Sequence, residues 1–172
     1  MPVGIYNSSL KLFSENNIWN LLRISISFIV LWAFFDKLFG LGFATGSNKS
    51  WLLGISPTTG FLSNAPDGPL APIFNSLSGN IMVDILFMGG LLLVGSALLL
   101  GIGMKIAGYS GALMMFLIYL SLFPPENNPL IDEHIVYIII LIGLAIRSEK
   151  QKFGLGKKWS EFQLVKNYPI LR

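Results

Sequence analysis

Two uninterrupted apolar runs, Ile85–Met104 and Ile106–Phe123, separated only by the charge of Lys105, constrain this chain more than any other feature. A helix needs about 20 apolar residues to cross the hydrocarbon core of a bilayer. No water is present there to satisfy a broken backbone, so a run of this kind crosses as a continuous helix. Gly101 and Gly103 supply a tight turn between the two runs, and Pro124-Pro125 stops the second. Composition agrees: 53% of the residues are hydrophobic and only 12% charged, too few for the charged shell of a soluble domain of 172 residues.

Two further apolar stretches are less clean. Ile18–Phe39 is too long for a signal-peptide core and reads as a retained helix, although its uncharged part is only Ile24–Phe35. The last stretch is uncharged only from Ile135 to Ile146. To reach spanning length, the first helix draws Arg23, Asp36 and Lys37 into the membrane's edge, and the fourth draws in Asp132, Glu133 and His134. The expected fold is all-α: one integral membrane domain over 1–172, a four-transmembrane-helix bundle. Its spans lie near 18–39, 82–104, 105–123 and 128–147, followed by a basic tail over 148–172.

Lysine and arginine set the orientation. With both termini cytoplasmic, the inner set is Lys11, Arg23, Lys105, Arg147, Lys150, Lys152, Lys157, Lys158, Lys166 and Arg172, against Lys37 and Lys49 outside. Six acids fall outside and three inside, so the outer face sums to −4 and the inner to +7. The extracytoplasmic connection from Gly40 to Asn80 is long for a bundle, and its Trp51, Phe61 and Phe74 predict a loop that folds onto the bundle mouth or lies in the interface. Pro69 is positioned to start a short helix through Leu77. The tail, basic and carrying Phe153, Trp159, Phe162 and Tyr168, reads as an interfacial segment held to anionic lipid.

The absence of cysteine excludes disulfides, thiol redox chemistry and covalent haem attachment, and one histidine excludes bis-histidine haem within a subunit. No metal site and no covalently bound cofactor are expected. Any electron transfer then uses a diffusible quinone or a cofactor elsewhere. Chemistry is expected where ionisable groups enter the membrane. Arg23, Ser27, Val30, Phe34 and Lys37 form one helical stripe, and Glu133, Tyr137, Ile140, Leu144 and Arg147 a second. With Asp36 and Asp84, these predict a shared outer pocket in which Lys37 pairs with Glu133 or Asp132. There Lys37 attracts an anion or a quinone headgroup, His134 exchanges protons and a carboxylate accepts them from a quinol. The bland alternative is a set of interfacial charges that snorkel to water. Ala107 with Gly111 and Gly108 with Ala112 give small-residue spacing for close helix packing.

Several segments in one order resemble the DoxX-like membrane family, in its DoxD branch, the large subunit of thiosulfate:quinone oxidoreductase. They are FDKLFGLGFAT (35–45), WLLGISPTTGFL (51–62), LFMGGLLLVG (86–95), GYSGAL (108–113), NNPLIDEH (127–134) and FGLGKKW (153–159). The resemblance implies oxidation of two thiosulfates to tetrathionate with reduction of a membrane quinone. It also implies a second small subunit (DoxA-like) as partner, and the plasma membrane of a sulfur-oxidising archaeon. On matching positions it carries over Lys37, Asp132 and His134, which with Glu133 form the catalytic candidates; Asp36, Lys49, Asp84 and Arg23 are substrate-binding candidates. Where many relatives carry a glutamate early in the second helix and an arginine at the next turn, this chain has Asp84 and Lys105. The alternative is a non-catalytic accessory subunit among terminal quinol oxidase subunits. A nucleic-acid partner is not expected.

Overall fold

The computed structural model describes residues 14–126, 128, 130–150 and 153–171. Lys11, Lys152 and Arg172 of the basic set, and Asn127 and Pro129 of the NNPLIDEH segment, lie outside the described residues, as does the side chain of Lys150. The described chain is all-helical and contains no strand. Four long helices dominate: α1 (Glu15–Phe39), α4 (Ile81–Leu100), α5 (Met104–Ser121) and α6 (Glu133–Ile146). Short helices α2 (Thr59–Asn64) and α3 (Ala71–Asn75) lie in the 40–80 connection, and α7 (Gly156–Glu161) and α8 (Gln163–Asn167) in the tail.

Three helices, α1, α4 and α5, are long and apolar enough to cross a membrane. At a rise of about 1.5 Å per residue they measure roughly 37, 30 and 27 Å, against a hydrocarbon core of about 30 Å. The fourth is shorter than the sequence suggests. Helix α6 has 14 residues, roughly 21 Å, because Asp132 is its N-cap and not part of it. The Asp132 carboxylate accepts from the backbone N–H groups of His134 (3.0 Å) and Ile135 (3.3 Å), which satisfies donors the helix leaves open.

The other ends are equally local in origin. Ser14 caps α1 by accepting from Asn17 N, and Gly40 closes it in the left-handed region at φ 68°. Asn80 caps α4, and Gly101 (φ 70°) and Gly103 (φ 56°) make the turn into α5, as the sequence predicts. In the 40–80 segment, helix α3 begins at Ala71, with Pro72 in its first turn, two residues later than Pro69 suggested.

In lipid the hydrophobic effect does not press helices together, so close backbone approach matters most. A Cβ on Gly108 would lie 2.6 Å from the Leu141 carbonyl and 2.7 Å from Ala145 Cβ, so glycine is what lets α5 and α6 touch. Gly95 does the same for α4 against Leu31 of α1. Beside it, Ser27 Oγ donates to the Gly95 carbonyl at 2.9 Å. In the stripe, Arg23, Ser27, Val30 and Phe34 are buried and Lys37 is half-buried. The outward faces are apolar instead: Leu21, Phe28, Leu86 and Leu93 are each about two-thirds exposed, the reverse of a soluble helix.

Candidate functional site

One end of the bundle gathers the close of α1, the start of α4 and the start of α6. The long connection folds over the first two. Ser50, Thr58 and Leu62 are buried, and Trp51 packs on the hydrophobic core. Gly68 sits so close to the Phe123 carbonyl that any Cβ would overlap it, which brings the loop against the end of α5.

Beneath the loop lie two buried carboxylates. Asp84, on the first turn of α4, accepts from Ser56 Oγ at 2.8 Å and from Thr58 Oγ1 at 2.5 Å. Ser56 in turn receives the Thr59 hydroxyl at 2.8 Å and its N–H at 3.1 Å. The SPTT segment is therefore a built carboxylate receptor, with hydroxyl donors offsetting the cost of removing the charge from water. Asp36, near the end of α1, is 1% exposed; its Oδ1 accepts from Phe43 N at 3.3 Å, while Oδ2 has no partner. Lys37, its neighbour in the chain, is half-buried.

The start of α6 forms a separate cluster. His134 Nδ1 lies 2.8 Å from Asp132 Oδ2, so one aspartate both caps the helix and orients the imidazole. Ligating atoms of Asp132, Glu133 and His134 lie within 4.8 Å of one another, a set able to hold a cation, although none was expected from a single histidine. Together with Asp67, Glu126 and Leu122 they line a cleft of about 570 Å³. Its walls are acidic, which suits a cation or a proton-exchanging group and opposes a dianion.

The structure redistributes the predicted site residues. Among the described residues the ion pairs are His134–Asp132 and Arg147–Glu15, so the expected pairing of Lys37 with Glu133 or Asp132 is corrected. The reason is packing: α1 lies mainly along α4, and α6 mainly along α5, so α1 and α6 share little contact. Glu133 and Lys49 are exposed. Asp84 takes its hydrogen bonds from the loop rather than from α6, and Asp36 takes one loop N–H on Oδ1 while its Oδ2 has no partner. Serine and threonine in the SPTT segment, which hold Asp84, are the functional-end residues that charge patterning does not find.

Arg23 lies at the opposite end. Buried to 1%, it donates from Nη1 to the Leu98 carbonyl at 2.8 Å and from Nη2 to the Phe153 carbonyl at 2.8 Å. It caps the end of α4 and clamps the tail. Arg147 stands at the same end, 2.5 Å from Glu15 and over the Trp19 ring at 5.4 Å, joining the end of α6 to the start of α1. The four long helices thus run alternately up and down.

The fold and its polar end define an all-helical protein with three helices fit to cross a membrane and two buried carboxylates under a folded loop. No family model, no curated protein and no solved structure matches this chain.

Proposed function

We propose that this chain is the membrane subunit of a thiosulfate:quinone oxidoreductase, working with a second small subunit. The single observation that carries the reading is placement at one end of the bundle. The segments resembling the DoxD branch (FDK, SPTT and DEH) supply Asp36 and Lys37, the receptor for Asp84, and the Asp132–His134 couple, all at one end of the helices. A buried carboxylate under hydroxyl donors and a carboxylate-oriented imidazole are groups that quinone chemistry needs.

The reaction balances in two halves. Two thiosulfate dianions join through their terminal sulfurs into one tetrathionate dianion and release two electrons. A quinone takes those electrons with two protons and becomes a quinol. In this reading Lys37 and Lys49 draw the anion, and the acidic cleft around His134 and Asp132 hands protons to the quinone. Glu133 at the cleft's exposed edge gathers protons from water.

The same reading places all four long helices across the plasma membrane, with α6 as the fourth span. Ile139 and Ile146 support it, because α6 leaves both exposed as the lipid-facing sides of α1 and α4 do. A span of 14 residues is accommodated by local thinning and by polar residues at its ends. The lysine and arginine bias supports cytoplasmic termini and an external loop.

The test is thiosulfate-dependent quinone reduction by the intact complex from native membranes. Lys37→Met is expected to raise the KM for thiosulfate with the complex still assembled. Unchanged rate and affinity remove Lys37 from the site, and an inactive wild-type complex removes the reading itself.

A second reading has one specific observation in its favour: Asp84 is already paired inside the fold, as a structural carboxylate would be. In that reading the chain is a non-catalytic scaffold among terminal quinol oxidase subunits. Copurification with haem absorbance and no thiosulfate turnover would favour it.

A further inference from the structure

The tail 153–171 is a folded cap whose height is set by the helices. Arg23 holds the Phe153 carbonyl, and Leu155 N–H donates to the Leu100 carbonyl at 2.7 Å. Three glycines make that approach possible. A Cβ on Gly101 would lie 2.5 Å from Arg23 Nη1, one on Gly156 would lie 2.6 Å from the Gly101 carbonyl, and one on Gly154 would overlap the Leu100 carbonyl. Beyond the glycines the cap closes on itself: Val165 is fully buried, and Trp159 Nε1 donates to the Leu171 carbonyl at 2.6 Å.

What the cap leaves outside is unusual for a water-facing segment. Phe162, Leu164, Tyr168 and Ile170 are each more than half exposed. Interleaved with them, Lys157, Lys158 and Lys166 are exposed as well, and Glu161 is the one acid among residues 153–171. The cap is pinned to the last turn of α4, where the uncharged run ends, so these side chains lie at that end of the helices.

We propose that this cap is a binding surface for anionic phospholipid headgroups at the membrane face where α4 ends and α5 begins. Apolar side chains sink to the acyl boundary while the lysines meet the phosphates, the division of labour of an interfacial segment. Lys105, on the first turn of α5 at the same end, extends the basic surface toward the bundle. Charge complementarity selects lipid over a soluble partner. A bilayer accepts the exposed aromatic and aliphatic groups together with the lysines, without requiring matched acidic residues.

The proposal rests on the membrane-spanning helices and not on the redox reading. Its test uses the full chain in vesicles of equimolar phosphatidylglycerol and phosphatidylcholine, followed by mild extraction and lipid analysis by native mass spectrometry. The wild type is expected to retain phosphatidylglycerol in excess. The Lys157→Gln/Lys158→Gln/Lys166→Gln variant loses that preference, roughly fivefold per lysine, and the triple Lys→Arg variant keeps it. Retention of the two lipids in their vesicle proportion by the wild type would overturn the proposal. So would a glutamine variant that keeps the excess, or tail cross-linking in native membranes that captures a protein instead of lipid.

Discussion

Thr58 donates its hydroxyl to Asp84 Oδ1 at 2.5 Å, across 26 residues of sequence, and so fastens the loop to the first turn of α4. Ser56 makes the second bond to the same oxygen. A hydrogen bond to a charged acceptor contributes about 1.5–3 kcal/mol, more than most side-chain contacts. This attachment therefore decides whether the 40–80 segment is a structured cover or a loose connection.

Thr58→Val is expected to leave Asp84 with one donor and to cost about 1.5–3 kcal/mol. Thermal unfolding in detergent reads the loss, and faster protease cleavage within 40–80 shows where it falls. A variant as stable and as protected as the wild type would mean the loop is held by its apolar residues alone.

Arg23 offers a test at the other end. Arg23→Met leaves the carbonyls of Leu98 and Phe153 without their donor, with an expected cost above about 2 kcal/mol. Trypsin should then cut sooner after Lys157 and Lys158. Arg23→Lys restores only part of the loss, because one ammonium cannot span both acceptors as the planar guanidinium does.

Glycine substitutions separate packing from propensity. Gly108→Ala inserts a methyl group against the Leu141 carbonyl and should cost about 1–3 kcal/mol through overpacking. Gly89→Ala meets nothing within 4 Å and should be neutral or stabilising by up to about 1 kcal/mol, the helix-propensity difference. Equal effects at the two sites would contradict the described contact between α5 and α6.

Asn20 is buried with neither amide atom partnered. Asn20→Leu removes a desolvated polar group from α1 and is expected to stabilise the chain by about 1 kcal/mol or more. Loss of stability on this replacement would point to a water or another group bonded to the amide.

Since the chain has no cysteine, a single introduced thiol reports sidedness without background. Asn48→Cys and Asn167→Cys, both at exposed positions, are expected to react with a membrane-impermeant maleimide from opposite sides of sealed vesicles. Labelling of both from the same side would refute the alternating arrangement across the bilayer.

The sequence is legible where a physical rule is local. Uncharged runs bounded by Gly101, Gly103 and Pro124 mark the α4–α5 hairpin, and 3.6-residue spacing identifies the buried stripe from Arg23 to Phe34. Small residues at 107, 108, 111 and 112 mark the tight α5 contact. What spacing cannot carry is the choice among partners. Lys37 has several acids within conceivable reach, and only the side-by-side order of α1 with α4 and α5 with α6 excludes Glu133 and Asp132. Likewise Arg23 looks like a ligand-binding cation until its acceptors prove to be carbonyls at a helix end and in the tail. The start of α6 falls just after Asp132 because that residue has the chemistry of a cap as well as of a membrane-edge charge.

The seam at Ser27 and Gly95 lies in a stretch of the bundle without charged side chains. Between Arg23 and Asp36, from Ile85 to Met104, and from Ile135 to Ile146, the helices carry no carboxylate, ammonium, guanidinium or imidazole. With α1 and α4 pressed together at that seam, the bundle's interior offers no relay of charged groups from one face to the other. In the proposed function, the ionisable groups available to chemistry seated under the loop would be those of that end: Asp36, Lys37, Asp84, Asp132, Glu133 and His134.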